Sequence, residues 1–572
     1  MSSVEGSVEL SPDILYIVCS FTSRGTLFHL RLTSRALNQA ATSWAFRHVR
    51  LDARTNAPRR FVELAQCQKL RPFVQEITCD TWIGPHHSYE GVYVYKIPAD
   101  FMNALPYLRY FHGLKALHLR FNECCGDENR AWSIPVEETW DFRFRVLDTV
   151  FQCLAGTWNP EKQEETDKGL ALGFEAIYTT PDLEVDNRTM SPIRLNSLTI
   201  SNLADYHDER LANSDAFKRV LSSPTLVDLK LLISTHAKEV VSSLYFPEKH
   251  DFFESLPNTW LSPHLAQNLR VLSLYFQNYW GWCPKMDFRA VNPGRGPNSG
   301  FPQLKVLALG NFTFSHEWQI GWIASLGQNN GSGGLEELYL DDCPILYKAH
   351  QLSPMDESET MLGHDEDGNM ISVSNHGYPI KEVVAHRAAG GPSNLRLRGL
   401  PTQTQEHAIR WFHVFRQWQE RMKGLRVFRM GHGVWHTTPA DTFNACRSDE
   451  SFDYVNNRIL ARRVQDNGFR SFDCPAPMTP QPEFDDWLWN ERLVDSSNPK
   501  YLNGTGLCQD RVDVMQYIRN DCNWWIPRGW ANSYGNRKKV VWAPEESTID
   551  QDDAAFEMFL SVVQSRHNTV DG

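Results

Sequence analysis

Long apolar runs are missing from this chain. No stretch of its 572 residues approaches the roughly 18 to 20 uninterrupted apolar residues of a membrane helix. A CxxC pair is missing too. The 12 cysteines are scattered, with only Cys124 and Cys125 adjacent, which argues against a zinc ribbon or a small disulfide framework and fits reduced thiols. Nor is there a surplus of positive charge. The net charge is −12, so the chain has no basic footprint for nucleic acid or for an anionic membrane surface. Residues 1 to 13 carry Glu5, Glu9 and Asp13 but no Lys or Arg, whereas an export signal opens with positive charge. An intracellular location, cytoplasmic or nuclear, is therefore expected.

The common catalytic signatures are absent as well. No G-x-S-x-G elbow, HExxH helix or GK[ST] phosphate loop occurs. In "GHDEDGNM", Asp365, Glu366 and Asp367 precede Gly368, but that glycine comes too early for a calcium loop and the closing Glu is lacking. A solvated acidic loop is expected there. The sequence thus implies no metal, no cofactor and no active site of its own.

What the chain does have is enough apolar residue, 41%, for a core, and a length too great for one ordinary compact core. An L-x-x-L-x-L pattern recurs: "LKALHL" from Leu114, "LNSLTI" from Leu195, "LVDLKL" from Leu226, "LRVLSL" from Leu269, "LKVLAL" from Leu304, "LEELYL" from Leu335 and "LRVFRM" from Leu425. The starts from 195 to 335 are spaced 31, 43, 35 and 31 residues apart. Helix-like stretches such as "DAFKRVL" and "EWQIGWIASL" precede several of these strands. A strand with a helical return, repeated, resembles the leucine-rich repeat unit. The intervals exceed the usual ~20 to 29 residues, so the expected form is an irregular α/β solenoid over residues 60–440 with a parallel sheet on its concave face. Insertions read as loops at about 156–192, 281–300 and 347–400. Residues 441–572, rich in Trp and Pro at first and acidic near the end, read as a C-terminal cap and tail.

Residues 9–51 form a separate unit. Ser11-Pro12-Asp13 is a helix start, with a hydroxyl at the cap, proline at the first helical position and a carboxylate near the positive end of the dipole. Ile14, Leu15, Ile17, Val18 and Phe21 then share a helical face. Leu27, Leu30 and Leu32 make a second cluster, and Ser34 opens a third helix. "HVRL" follows as a strand. Three short helices bury little alone, so an apolar face is expected to bind something.

This stretch resembles an F-box, whose pattern runs roughly L-P-x-E-I-L-x-x-I, a leucine cluster, and a helix opening at a Ser/Cys-Arg pair. Here it reads Leu10-Ser11-Pro12-Asp13-Ile14-Leu15-Tyr16-Ile17-Val18, then Leu27 to Leu32, then Ser34-Arg35. Ser11 stands where proline is usual, and Asp13 replaces Glu. The resemblance implies a substrate receptor of a cullin-RING ubiquitin ligase, in which the F-box docks a Skp-type adaptor and the repeat domain holds a protein substrate. By position the adaptor face would be Leu10, Pro12, Ile14, Leu15, Ile17, Val18, Leu27, Leu30 and Leu32. The alternative is an interaction scaffold of the same build outside any ligase.

Strand alternation extends the expectation to a substrate surface. If the leucines point inward, the residues flanking the last two point onto the concave sheet. Those singled out for charge or aromatic character are His118, Arg120, Lys230, Tyr275, Glu337, Tyr339, Asp341 and Arg429. Val306, Ala308 and Gly310 leave a small-residue stretch where another chain or an inserted loop could come close.

Overall fold

The hydroxyl caps foreseen at the N-terminus form as helix starts. In this computed structural model, Ser11 Oγ accepts from the Ile14 N–H at 3.3 Å and opens α1 (Pro12–Ser20). Ser34 does the same for α3 (Arg35–Ala45), and Ser23, which the sequence reading did not single out, caps α2 (Arg24–Leu30). The structure describes residues 10–53, 56–81, 98–121, 125–126, 138–170, 191–234, 247–294, 298–341, 343–351, 354–364, 368–380, 403–431, 515, 517–521, 524–527, 544–545 and 547–568. The chain is a mixed α/β protein with a mostly parallel sheet, several helices and no closed barrel among the described residues. It divides into two units: Met1–Gly84 with Lys96–Arg120 and Arg145–Leu195, and Pro85–Tyr95 with Phe121–Phe144 and Asn196–Gly572.

In the first unit, Cys19, Leu27, Ala40, Ala41 and Ala45 make a small core between α1, α2 and α3. Alanines on α3 let the other two helices approach closely. Beyond α3 the strand read from "HVRL" is β1 (His48–Asp52), which pairs in parallel with β2 (Glu76–Asp80), and β2 with β3 (Ala116–Arg120). Leu51, Ile77, Cys79, Leu117 and Leu119 are buried on one face of these strands. The helix Pro160–Gly169, capped by Asn159, occupies part of the 156–192 stretch read as a loop; residues 171–190 lie outside the described ones.

In the second unit, β4 (Cys125–Gly126) and β5 (Glu138–Thr139) form a short parallel pair. The main strands are β6 (Ser197–Ala204), β7 (Asp228–Ser234), β8 (Val271–Trp280), β9 (Val306–Phe312) and β10 (Glu337–Asp341). They run parallel in that order, with β15 (Val427–Gly431) after β10. Each recurring leucine motif thus ends in a strand, and Leu198, Ile200, Leu229, Leu231, Leu272, Leu274, Leu307, Leu309, Leu338 and Leu340 are all buried. "DAFKRVL" is the helix Asp215–Leu221, and "EWQIGWIAS" the helix Glu317–Ser325.

The 347–400 stretch corrects the sequence reading. It contains most of β11 (Ile345–Gln351) and an antiparallel ribbon of β12 (Glu359–His364) and β13 (Met370–Ser374). Alternating Met370, Ile371, Ser372, Val373 and Ser374 is a strand pattern that the acidic neighbours obscure. Residues 365–367 and 381–402 lie outside the described ones. β14 (Gln403–Glu406), β16 (Tyr517–Asp521) and β17 (Trp524–Pro527) join β11 in a four-stranded sheet ordered β14-β11-β16-β17.

Residues 432–514 lie outside the described ones, including Trp487 and Trp489. The C-terminal helix Thr548–Asn568 packs on the helix Trp411–Arg421. Its Asp552 accepts from the Phe412 N–H at 2.8 Å and from the Tyr517 hydroxyl at 2.7 Å, and that hydroxyl accepts from the Trp411 N–H at 2.9 Å. Phe415 and Phe559 stack beside this network.

The small-residue stretch on β9 has an occupant from the neighbouring strand. Tyr275 and Gly310 are paired in register, and a Cβ added to Gly310 would lie 2.1 Å from the Tyr275 ring. The absent side chain makes room for that ring. Gly310→Ala is expected to destabilise the protein by about 1 to 3 kcal/mol through overpacking. In urea unfolding, the same substitution should cost much less in a Tyr275→Ala background and about as much in Tyr275→Phe.

Candidate functional site

Two surfaces follow from the sequence, one on the helical module and one on the strands. α1 carries apolar residues around most of its circumference. Cys19 is buried and Leu15 packs against the module core, whereas Ile14, Ile17, Val18 and Phe21 lie on the other side at spacings of i, i+3, i+4 and i+7. Their exposures run from 47% at Ile14 to 87% at Phe21. Leu10 and Tyr16 are also exposed, as are Pro12 and Leu32, the last at 86%.

The expected adaptor residues therefore divide. Leu10, Pro12, Ile14, Ile17, Val18 and Leu32 face solvent, whereas Leu27 is buried and Leu15 and Leu30 pack against it. Leu27 is correspondingly corrected to a core position, and Leu15 and Leu30 are half-buried against it. A three-helix unit must bury some leucines, and the leucine cluster supplies them. Tyr16 and Phe21 join the exposed set. Tyr16 leans on Trp44, with ring centroids 5.1 Å apart, and its carbonyl accepts from the Trp44 indole N–H at 3.0 Å, so the outward stripe is held on a fixed backbone.

The strand surface differs from the expectation more sharply. His118, Arg120, Lys230, Tyr275 and Tyr339 do lie on the face opposite the leucines, yet all are buried. This corrects their assignment to a solvated surface. Alternation fixes which face a side chain takes; it does not say what covers that face. Leu232, Val271, Tyr275, Val306, Ala308 and Tyr339 make one apolar cluster there. Glu337 is half-buried and accepts from the Tyr339 hydroxyl at 2.7 Å. For Asp341 and Arg429 only the backbone is described: Asp341 pairs with Gly310 and Gly431, and Arg429 with Tyr339.

Register brings polar groups together at one end of this cluster. Lys230 donates to both Asp228 oxygens, at 2.8 and 2.7 Å. Thr199 and Ser273 are the register partners of Lys230 on either side, and Ser197 pairs with Asp228. The hydroxyls of Ser197, Thr199 and Ser273 are buried without a hydrogen-bond partner among the described residues. The island can hydrogen-bond a polar group but carries no net charge.

In the first unit the corresponding strand face is ionic. Glu76 accepts from His118 Nε2 at 3.1 Å, with His48 Nδ1 at 3.8 Å; the other His48 nitrogen meets the Thr78 hydroxyl at 2.9 Å. Arg50 pairs with Asp80 at 2.8 Å and with Asp52 at 3.2 Å. Burial pushes the Glu76 carboxyl up, but His48, His118 and Arg47 outweigh it and hold the group at about 2. Burial lowers His48 to about 4 against the pull of Glu76. A histidine so hard to protonate is a poor general base near neutral pH, and the described residues contain no group of three or more side chains fit to hold a metal. Structural pairing is what this cluster supplies.

Compared with known proteins, the chain matches no family model, and no curated protein matches it.

Two outcomes test these placements. Leu27→Ala is expected to cost about 2 to 5 kcal/mol, whereas Ile17→Ala and Phe21→Ala should stay within about 0.5 kcal/mol in chemical unfolding. Acid should also loosen the first unit. Both His48 and Glu76 have depressed values in the folded state, so the unfolded chain takes up protons first. The contribution of His48 is present above its ordinary 6.5 and is lost as pH falls toward about 4; that of Glu76 is present above 4.5 and is lost toward about 2. Thermal midpoints measured from pH 7 to pH 4 should fall, and less steeply in His48→Gln.

Proposed function

We propose that this protein is a non-catalytic substrate receptor of a cullin-RING ubiquitin ligase, with residues 9–51 acting as an F-box that docks a Skp-type adaptor. One observation carries the reading. Of the ten large hydrophobic side chains exposed among the described residues, seven lie between Leu10 and Leu32. Large apolar residues gathered on one small module, while none of those described on the leucine-motif strands is exposed, mark an interaction face. The F-box-like order of the same residues gives that face its partner.

The strands fit the second half of the role. Leucine motifs spaced 31 to 43 residues apart lead into parallel strands, as an irregular leucine-rich repeat solenoid requires. In such a domain the repeats hold a protein substrate, and the buried Lys230, Asp228, Tyr275 and Tyr339 serve the interior of the sheet rather than that contact. Ubiquitin transfer belongs to other subunits. No described helix is long and apolar enough to cross a membrane, and an intracellular site of action goes with the proposed ligase.

Binding of the full chain to purified Skp-type adaptor tests the reading directly. Wild type should form a stable complex by titration calorimetry, and Ile14→Asp or Val18→Asp should weaken it by about 30-fold or more, the loss of a central apolar contact. Both positions are exposed, so the free protein should keep its thermal midpoint. Failure of wild type to bind the adaptor would remove the ligase assignment.

A further inference from the structure

The module's charge runs against that of the chain. Between residues 10 and 47 stand Arg24, Arg31, Arg35 and Arg47 against the single carboxylate Asp13, a surplus of three positive charges in a protein of net −12. Three of the four arginines have work inside the module. Arg24 lies over Phe28, Arg47 over Trp44 at 4.8 Å, and Arg31 over Phe46 at 4.7 Å while its Nε donates to Thr42 at 2.9 Å.

Arg35 is different. It is exposed, makes no hydrogen bond, ion pair or ring contact among the described residues, and begins α3. A cation there meets the positive end of the helix dipole, where Asp or Glu would be favoured. Arg35 therefore contributes nothing favourable to its own helix. It stands three residues beyond Leu32, whose side chain is 86% exposed, so along the chain the apolar set is followed at once by a cation that no described residue pairs.

We propose that the partner surface received by this module is acidic, an apolar groove bordered by carboxylates, and that Arg35 pairs with one of them. This rests on the adaptor-docking reading and adds the chemistry of the partner's surface. Apolar contacts set how long the complex lasts; the cationic border sets how fast it forms and which surfaces it rejects.

The test is association kinetics of the full chain with purified Skp-type adaptor, comparing wild type with Arg35→Glu at about 0.05 M and about 0.5 M salt. Arg35→Glu should slow association about three- to tenfold at low salt, and wild-type association should fall as salt rises. The thermal midpoint of free Arg35→Glu should be unchanged or higher, because a carboxylate suits that helix end. A residue of purely structural value would instead lose stability with binding. Association indifferent both to Arg35→Glu and to salt would overturn the acidic-partner proposal and leave the docking reading intact. No binding by wild type at either salt would overturn both.

Discussion

Parallel register is the constraint on which the rest depends. From β6 to β10 and on to β15, each strand meets its neighbour so that Ser197, Asp228, Val271, Val306, Glu337 and Val427 form one row, and Thr199, Lys230, Ser273, Ala308, Tyr339 and Arg429 the next. A slip of one residue would exchange the leucine face for the polar one. Parallel strands of this kind are commonly covered on both faces. Here the leucines are buried on one side and Tyr275, Ala308 and Tyr339 on the other. Tyr275 can lie flat because its register partner is Gly310, and Trp280 donates to the Gly310 carbonyl at 2.7 Å.

Buried charges strengthen that register through geometry more than through net energy. An enclosed ion pair gives back in Coulomb attraction about what it loses in hydration, but removing one partner strands the other. Lys230 and Asp228 sit two residues apart on one strand and satisfy each other, so they fix a face. Arg143, which pairs with Glu138 at 2.7 Å and also donates to the Asn202 carbonyl, ties β5 to β6. In the first unit Glu76 is shared by histidines from β1 and β3, so its charge bridges the neighbours of β2.

How much of this was legible in the sequence depends on how far apart the interacting residues lie. Caps and strands are local: Ser11, Ser23 and Ser34 act on N–H groups three residues on, and the leucine motifs give strand positions directly. Which helical face turns inward was only half legible. The spacing from Ile14 to Phe21 marks a stripe, but Leu15 falls off it, and Leu27 became core, with Leu30 packed against it, because α3 offers alanines to pack on. The cover over Lys230 and Tyr275 was not legible, since alternation sets direction alone. The Tyr517, Asp552 and Trp411 network joins residues more than a hundred positions apart, with no periodicity to announce it. The β12–β13 ribbon was hidden because acidic flanking residues masked a short alternating pattern.

The helical module and the strands solve burial in opposite ways, and the contrast gives the module its meaning. On the strands even polar side chains such as His118, Thr199 and Lys230 are enclosed, whereas Ile17 in α1 and Phe21 just beyond its end face water. The module does not lack material for its core: Cys19, Leu27 and three alanines form it, with Leu15, Phe28 and Leu30 packed against them. The outer stripe is therefore surplus to folding, an arrangement that costs solubility unless another surface covers it. Tyr16 and Trp44 hold that stripe in place from behind, so a partner would meet an ordered surface and lose little entropy on docking.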